Sequence, residues 1–430
     1  MTDRRAGESE PVIVEVGKLV GGGRALAHVD RETWLLSGAL PGERVAAVET
    51  LRRAGVVEGV AVELLGPAHP ARAAQPCRHA SSCGGCDWPH VDPEPGARLK
   101  AEAAAEAVRG VPALAKALRT APIRTSPLAY RLRSRLHWDP EARRLGFYEP
   151  RSWRVTPIPD CRIVSPRLLA AIGRFEIALA RRCPVPVDVE WLENLDGSRA
   201  VAALRPARPG PSEVDAGWLP LAGEVDGAVT GLHVLSRPGP PETGWGDDGV
   251  TMMLPVALFV PIGSFFQGNR HLAGWLFDRV VELAGSHPCP TWDLHAGVGF
   301  LAAAAWHASP RRLQLVEPFR ISARAARRNL PEAQVAVGRT AEAWLGRAGA
   351  LPTDALVLTD PPRAGMTPEL RHRLAGWHPD RILMLACDPA TWGRDTAYLL
   401  GRGYRLTHVE LVDLFPSTHH VEILAVLESG

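Results

Sequence analysis

The sequence has no apolar run long enough to cross a membrane. Its 430 residues contain no stretch that approaches the roughly 20 consecutive apolar residues of a membrane span. The opening stretch, MTDRRAGESEP, has no apolar centre of the kind that a secretory signal needs. With 46% hydrophobic and 22% charged residues, the composition is typical of a soluble globular chain. We therefore expect a cytoplasmic protein with no membrane partner.

The chain has little net charge and few lysines. The net charge is +2, so no strong basic field marks the whole chain as a nucleic-acid binder. Of the 49 basic residues, only Lys18, Lys100 and Lys116 are lysines, and all others are arginines. Arginine suits phosphate contacts and base stacking. The abundance of glycine and proline, with 41 and 39 residues, points to genomic composition as a second cause.

Seven cysteines in a cytoplasmic chain argue against a disulfide framework and for metal or catalytic use. Cys77, Cys83 and Cys86 are spaced C-x5-C-x2-C, and Cys161 follows alone. This pattern fits a site with four thiolates, which both zinc and an iron–sulfur cluster accept. Zinc sites usually combine two close ligand pairs, and the isolated Cys161 favours a [4Fe–4S] cluster. The C-x3-C-x2-C spacing of radical S-adenosylmethionine enzymes is absent.

The length predicts two or three domains, because single cores rarely grow to this size. The first 65 or so residues are short alternating segments separated by glycines, which predicts a small β-barrel. Such a barrel would either bind oligonucleotides or serve as a dimerisation or spacer module. Residues 95–109 predict a helix, and residues 125 to about 250 predict mixed strands and loops, with PGPPETGWGDD (238–248) as a loop.

Three arginines alternate with other residues in YRLRSRLHWD. Arg131, Arg133 and Arg135 would lie on one side of a strand, because side chains alternate between its faces. They would form either a phosphate-binding ridge or an ordinary solvated face.

The last third alternates strand and helix patterns and predicts a doubly wound α/β fold. In PTWDLHAGVGF, Gly297 and Gly299 would let the backbone approach a ligand above a helix N-terminus. Glu317 ends the next strand, where an acid can accept hydrogen bonds from ribose hydroxyls. This pattern suits a dinucleotide equally well, and Ala302 at the third glycine position of that fingerprint is tolerated.

Two further strand ends carry chemistry. LVLTDPPRAGM predicts Asp360 at the carboxyl end of the fourth strand, on a turn made rigid by prolines. LMLAC predicts that the next strand ends at Cys387, and an antiparallel pair with Glu422 on its last strand closes the chain. A terminal antiparallel pair is not the pattern of a dehydrogenase.

Five motifs, in this order, resemble those of the RNA uracil-C5 methyltransferases. They are SFFQ (264–267), DLHAGVG (293–299), DPPRAG (360–365), ACDPAT (386–391) and FPSTHHVE (415–422). The iron–sulfur subgroup of that family also has an N-terminal TRAM barrel and C-x5-C-x2-C with a distant fourth cysteine, so the resemblance covers nearly the whole chain. It implies S-adenosylmethionine as methyl donor, RNA uridine as acceptor and a [4Fe–4S] cluster.

The resemblance also implies a division into domains. Residues 1–70 would form the OB-like TRAM β-barrel, and residues 71–92 and 125–255 a central α+β domain that binds RNA and holds the cluster. Residues 93–124 and 256–430 would form the catalytic domain with the class I, Rossmann-like methyltransferase fold. We expect a monomer that needs no protein partner.

By the same resemblance, Cys387 adds to C6 of uracil and Glu422 removes the proton from C5. The addition is needed because C5 of uracil is a poor nucleophile, and covalent catalysis divides one hard step into two. The residues implied to line the pocket for the donor and the base are Gln267, His295, Phe300, Glu317, Arg339 and Asp360.

The sequence departs from the family at three places. His295 stands where the family usually has tyrosine or phenylalanine, and Phe300 where a polar residue is common. ACDPATWGRD replaces the usual SCNPATLARD. These departures concern the donor contacts and leave the nucleophile unchanged; His295 could also be a packed turn residue.

Several alternatives remain at this stage. The presence of both barrel and cluster favours ribosomal RNA over transfer RNA as substrate. An RNA cytosine-C5 methyltransferase uses the same thiol addition but has different companion motifs. An iron–sulfur RNA-binding protein with a decayed catalytic centre is the alternative outside enzymes, and the intact Cys387 and Glu422 speak against it.

Overall fold

The computed structural model describes residues 10–53, 55–75, 77–206, 221–235, 243–348 and 351–430. The start of the chain, at residues 1–9, and residues 238–242 of the predicted loop lie outside this range. The rest of that loop prediction is wrong in part, because Thr243–Gly246 pairs as an edge strand. None of the described helices is both long and apolar enough to cross a membrane.

The N-terminal region, predicted to be a small β-barrel of short strands, has short strands that form one six-stranded sheet. Its strands are β1 (Val12–Glu15), β2 (Lys18–Val20), β3 (Arg24–Val29), β4 (Glu32–Ser37), β5 (Arg44–Arg53) and β6 (Val56–Leu64). They are ordered β1-β5-β6-β4-β3-β2. Buried and exposed residues alternate along β3 and β4, so that Trp34 and Leu36 face the core. A tight turn at Gly21–Gly23 joins β2 to β3.

Two helices and a short strand follow. They are α1 (Pro93–Ala107), α2 (Pro112–Thr120) and β7 (Ile123–Thr125). The helix predicted at 95–109 is confirmed as α1, which has proline in its first turn. Ala101, Ala104 and Leu118 of these helices share a hydrophobic core with the C-terminal sheet. This segment therefore packs on the C-terminal unit.

The central region is a seven-stranded sheet with one long helix. Its elements are β8 (Arg133–Asp139), β9 (Arg144–Tyr148), β10 (Val155–Pro157), α3 (Pro166–Arg182), β11 (Val187–Glu193), β12 (Ala200–Pro206), α4 (Leu221–Glu224), β13 (Gly231–Val234) and β14 (Thr243–Gly246). The strand order is β10-β9-β8-β11-β12-β13-β14. The fully buried Trp138 and Trp191 lie in the core beneath α3.

The C-terminal region is a doubly wound α/β unit, as predicted. It begins with a hairpin of β15 (Gly249–Met253) and β16 (Ala257–Pro261). Its remaining strands are β17 (Thr291–Asp293), β18 (Leu313–Glu317), β19 (Gln334–Val337), β20 (Leu356–Thr359), β21 (Arg381–Ala386), β22 (Tyr404–Asp413) and β23 (Glu422–Ser429). Its helices are α5 (Ala273–Ala284), α6 (Phe300–Ala308), α7 (Arg320–Asn329), α8 (Ala341–Ala348), α9 (Pro368–Trp377) and α10 (Pro389–Leu400).

The main sheet of this unit has the order β19-β18-β17-β20-β21-β23-β22-β7. The strands from β19 to β21 are parallel, and β23 is antiparallel to both β21 and β22. Helices α5 to α7 cover one face, and α1, α2 and α8 to α10 cover the other. The strand order reverses at β17, and open α/β sheets bind ligands at the carboxyl ends of strands beside such a reversal.

Candidate active site

Cys387 and Glu422 meet across two antiparallel strands. The last recorded pair of β21 and β23 joins Ala386 to Ile423, so the same register carried one residue further sets Cys387 opposite Glu422. Residues opposite each other on antiparallel strands project to the same face, with Cβ atoms about 4.5–5.5 Å apart. The predicted strand end at Cys387 and the terminal antiparallel pair are both confirmed. The fold thus sets a thiol beside a carboxyl group.

Burial and like charge keep this pair protonated in the resting protein. Burial, together with Glu422 and Asp360, raises the pKa of the Cys387 thiol to about 12. Burial and the nearby Asp360 raise the pKa of Glu422 to about 8. Both shifts favour the neutral form at neutral pH, so the thiol has to lose its proton before it can act as a nucleophile.

Arg363 is the cation that opposes these shifts. Its positive charge lowers the pKa of both Cys387 and Glu422, although burial outweighs it. Arg363 follows the two prolines after Asp360, lines the cavity that contains Cys387 and contacts His420 Nε2 at 3.2 Å. In the sequence, Arg363 stands inside the DPPRAG motif, and it was not predicted as a site residue.

The cavity around Cys387 has a volume of about 170 Å³ and includes the N-terminal sheet in its wall. The turn at Gly21–Gly23 lines it together with Arg363, Asp388 and His419. Gly23 has φ +70°, and a Cβ atom there would lie 2.2 Å from the Cβ atom of His419. The N-terminal sheet therefore makes close contact with the loop at residues 415–420, here called the catalytic loop. Only glycine fits at position 23.

A second group of polar residues lies at the ends of β17 and β18. Glu317 accepts hydrogen bonds from the backbone N–H groups of Gly297 (2.8 Å) and Phe319 (2.7 Å), which orients its carboxylate above the glycine turn. Gly299 has φ +94° and directly precedes α6, as the predicted ligand-binding turn requires. Burial raises the pKa of Glu317.

Asp293 ends β17 and was missed as a site residue by the sequence analysis. It is 1% exposed, and burial together with Asp360 and Glu317 raises its pKa to about 8. Its Oδ2 atom has no hydrogen-bond partner among the described residues. The sequence signal for Asp293 was an acidic residue at the end of a buried strand, but an acidic residue at that position is also common in turns.

Four more of the residues implied by the resemblance are Gln267, Asp360, His295 and Phe300. Gln267 Nε2 donates to Asp360 Oδ2 at 3.3 Å, while Gln267 Oε1 is buried without a partner in the described chain. Burial raises the pKa of Asp360 to about 7. His295 Nδ1 contacts Thr359 Oγ1 at 2.9 Å, and burial lowers the pKa of His295 to about 4. Phe300 packs edge-on against Phe266 and Phe277, so it belongs to the hydrophobic core.

These residues fit a polar, cationic ligand. Asp293 Oδ2 and Gln267 Oε1 are buried acceptors that need donors, because an unsatisfied buried polar atom costs about 1–3 kcal/mol. Asp293, Asp360 and Glu422 are buried acids whose raised pKa values would fall beside a positive charge. A bound cation with N–H or O–H groups would satisfy both conditions.

Arg339 is not brought to this group. It lines a separate cavity of about 420 Å³ together with Trp292, Trp344 and Arg347, on the face of the sheet that α8 covers. Of the six pocket residues implied by the resemblance, two therefore lie elsewhere: Arg339 lines this separate cavity, and Phe300 packs in the hydrophobic core.

The four predicted cluster cysteines line one cavity. Cys77, Cys83, Cys86 and Cys161 surround it, with Phe147 and Ile158 completing the wall. Burial and the other thiols raise the pKa of Cys86 to about 12, and the positive charge of Arg131 opposes the rise. Within the described ranges, no three His, Cys, Asp or Glu side chains are arranged to hold a metal ion. The thiols share a cavity, and their binding of a cluster stays a prediction.

The predicted arginine ridge is wrong in part. Strand β8 begins at Arg133, so Arg131 precedes the strand and lies near the cysteines instead. Arg135 Nη2 donates to Glu190 Oε1 at 2.7 Å, which partly neutralises it. Arg133 lies over the exposed Phe265 ring at 6.0 Å.

Comparison with known proteins gives concordant results. A family model described as tRNA (Uracil-5-)-methyltransferase matches residues 353–429. The chain is 30% identical to the 23S rRNA (uracil(1939)-C(5))-methyltransferase RlmD of Pseudomonas putida, covering 97% of this chain and 93% of that protein. It is 32% identical to the protein of the same name from Alkalilimnicola ehrlichii, over 99% and 98% of the two chains. An uncharacterized RNA methyltransferase from Streptomyces avermitilis is 31% identical, over 96% and 97%.

The fold also matches a solved structure. The tRNA (uracil-54, C5)-methyltransferase of Pyrococcus abyssi, in complex with S-adenosyl-L-homocysteine, aligns with a TM-score of 0.74 and 20% identity. The alignment covers 98% of this chain and all of that one. The identity over nearly the full length of both chains decides the family. The chain belongs to the RNA uracil-C5 methyltransferases, which use S-adenosylmethionine as methyl donor.

Proposed function

We propose that this enzyme methylates C5 of a uridine in 23S ribosomal RNA, with Cys387 as nucleophile and Glu422 as general base. The observation that carries this proposal is the register of β21 and β23, which sets the thiol opposite the carboxyl group. The names of the full-length relatives support ribosomal RNA as the substrate class. We further propose that the enzyme is a cytoplasmic monomer.

Cys387 begins the reaction by losing its proton to solvent water, and Arg363 favours the resulting thiolate. The Cys387 sulfur then bonds to C6 of uracil, and the electron pair of the C5=C6 double bond moves toward O4 as an enolate. Asp360, with its pKa near 7, can be protonated and donate a hydrogen bond to a ring oxygen where negative charge develops. S-Adenosylmethionine, when bound, supplies the methyl group to C5.

Glu422 completes the reaction. After methyl transfer, C5 still carries a hydrogen, and Glu422 as carboxylate removes it as a proton. The freed electron pair restores the C5=C6 double bond and breaks the bond between C6 and the Cys387 sulfur. Glu317 and Asp293, at the ends of β18 and β17, and Gln267 would hold the donor through hydrogen bonds and, for the two acids, through negative charge.

We propose that the cavity lined by the four cysteines holds a [4Fe–4S] cluster. The cluster would have a structural role and would help to position the RNA. Methyl transfer needs no electrons, so the cluster has no redox part in the reaction. Arg131 lies beside the cysteines and carries the positive charge that favours their thiolate forms. We propose that the N-terminal sheet acts as a TRAM barrel, and its contribution to the wall of the catalytic cavity supports this proposal. We propose that the cluster region and the N-terminal sheet bind the RNA on either side of the target uridine. The uridine base has to unstack from its neighbours to reach Cys387.

Replacement of the nucleophile tests the mechanism directly. Cys387→Ala should retain RNA binding, lose methyl transfer and form no adduct with RNA that contains 5-fluorouridine. A base cannot remove fluorine from C5 as a cation in the way that it removes hydrogen as a proton. The wild-type protein should therefore be trapped with a covalent bond from the Cys387 sulfur to C6. Cys289→Ala removes another partly buried thiol outside the site and should behave like the wild type. Turnover by Cys387→Ala would contradict the assignment.

Replacement of the base should separate the two halves of the reaction. Glu422→Gln should still add to C6 and transfer the methyl group, and then accumulate a covalent protein–RNA adduct with ordinary uridine. Denaturing gels and mass spectrometry of the adduct would detect it. Glu428→Gln, on the same strand but paired with Arg381, is the matched control and should release its product. Normal release by Glu422→Gln would mean that another group takes the proton.

The substrate can be identified by tritium release. Methylation at C5 expels the hydrogen of that carbon, so RNA labelled with 5-³H-uridine should release tritium when the substrate is 23S ribosomal RNA. Transfer RNA labelled in the same way and RNA labelled with 5-³H-cytidine should release none. Release from transfer RNA alone would move the substrate to that class, and release from cytidine would refute uracil as the target.

The cluster can be tested by analysis of the purified protein. Anaerobically purified wild type should contain iron and sulfide in the ratio of a [4Fe–4S] cluster, with a broad absorption in the visible range. Cys161→Ser should lose most of the iron, because it removes the only ligand from the second chain segment. Cys183→Ser, at a buried cysteine outside the cavity, should keep it. Zinc in place of iron would contradict the proposal.

A further inference from the structure

The loop at 415–420 joins β22 to β23 and directly precedes the proposed base. Recorded pairing of the two strands ends at Val412 and Glu422, so the loop lies outside the strand ladder. Its position is set by contacts from two other parts of the chain, one on α1 and one beside the cysteine cavity. These contacts have no part in the proposed mechanism so far.

Lys100 of α1 holds both ends of this loop. Its Nζ atom donates to Phe415 O at 3.0 Å and to His420 O at 2.9 Å. The third donor goes to Asp413 Oδ1 at 2.6 Å, and Lys100 and Asp413 are 2% and 0% exposed. An ammonium group has three donors around one atom and fits three converging acceptors, whereas the planar guanidinium of arginine does not. This explains a buried lysine in a chain whose basic residues are nearly all arginines.

The segment after Cys86 holds the middle of the loop. Asp87 Oδ1 accepts from the His419 backbone N–H at 3.0 Å, and Asp87 Oδ2 contacts His419 Nδ1. The backbone N–H of Trp88 donates to Ser417 O at 2.9 Å. These contacts come from the two residues that immediately follow a predicted cluster ligand. The four-cysteine site and the catalytic loop are therefore joined by direct hydrogen bonds.

Glu422 depends on this loop more than Cys387 does. Both β21 and β23 have neighbours on both sides, so the sheet alone does not distinguish the two residues. The difference lies in what adjoins each of them along the chain. Cys387 precedes α10, whose N-terminus is capped by Asp388 through the Thr391 N–H, whereas Glu422 is the first residue of β23 and comes two residues after the loop. No hydrogen bond to the Glu422 carboxyl group comes from the described residues, so a shift of the loop would act on this group through the backbone.

We propose that Asp87 and Lys100 are positioning residues for Glu422, and that Asp87 links the four-cysteine site to the proton-removal step. This inference rests on the proposed roles of Cys387 and Glu422. It assigns to the segment after Cys86 an effect on product release that is separate from RNA binding.

The decisive comparison is between Asp87→Ala and Asp160→Ala. Both residues adjoin a predicted cluster cysteine and both contact a histidine, with His79 Nε2 2.6 Å from Asp160 Oδ1. Asp160 has no recorded contact with the loop at 415–420. Asp87→Ala should add to C6 and transfer the methyl group at the wild-type rate but break down the methylated adduct about 10- to 100-fold more slowly, because a misplacement of about 1 Å can cost about 10²-fold. Asp160→Ala should break down its adduct at the wild-type rate.

Hydrogen exchange provides a readout that does not depend on turnover. The backbone amides of residues 415–422 should exchange faster in Asp87→Ala than in the wild type or Asp160→Ala, with iron content equal in all three. Asp87→Asn, which keeps an acceptor for the His419 N–H, should give a smaller change in the same direction. It also serves if Asp87→Ala does not fold.

Lys100→Met gives an independent test from the other side of the loop. It should accumulate the same methylated adduct, and Lys100→Arg should not restore release, because a guanidinium group cannot occupy the same three-acceptor site. Lys116→Met, on the exposed face of α2, is the control.

The outcomes separate this inference from the proposed function. If the wild type forms no adduct with 5-fluorouridine RNA, the covalent mechanism itself fails. If the wild type forms the adduct but Asp87→Ala releases product as fast as Asp160→Ala, the covalent mechanism stands and the positioning role is overturned. Equal exchange at residues 415–422 in both variants would also overturn it.

Discussion

The antiparallel insertion of β23 beside β21 is the constraint on which the site depends. In an all-parallel sheet, the residues that follow two neighbouring strands come from similar βα turns. Here the end of β21 faces the beginning of β23, so Cys387, which follows β21, lies opposite Glu422, the first residue of β23. The register fixes which pair this is, and a shift by one residue would turn the carboxyl group to the other face. The chemistry therefore depends on strand pairing more than on the sequence distance between residues 387 and 422.

Charge is the second constraint. Asp293, Asp360 and Glu422 are buried close together, and Arg363 is the cation whose charge acts on both Glu422 and Cys387. Such a group is costly when fully ionised, so the resting site holds protons that its ligands can displace. A positively charged methyl donor bound there would balance the charge of the acids, and Arg363 favours the thiolate through its own positive charge. The buried acids therefore favour the binding of a cationic ligand.

Much of this arrangement was predictable from the sequence. The strand ends at Glu317, Asp360 and Cys387 were predicted because apolar runs stop there at glycine, proline or acidic residues, and the parallel sheet brings such ends to one edge. The antiparallel closing pair was also predicted. Local pattern is sufficient for these features because each is decided by a few adjacent residues.

The missed features depend on tertiary contacts. Lys100 lies in an alanine-rich helix and reads as a solvated residue, yet it packs against a loop more than 300 positions later. Arg339 follows a strand at a place where donor contacts are expected, but it lines a separate cavity together with Trp344 of α8. Arg131 alternates correctly for a strand that begins two residues later. Sequence spacing alone does not decide which way such long side chains turn.

The close contact between Gly23 and His419 has a consequence for how a target is selected. Because no side chain fits between the N-terminal sheet and the catalytic loop, the sheet is not a module on a loose tether. Any nucleotide held on that sheet lies at a set separation from the reactive sulfur. If the sheet binds RNA, the enzyme would select its target uridine by the distance between that uridine and the bound part of the RNA, as well as by the neighbouring nucleotides.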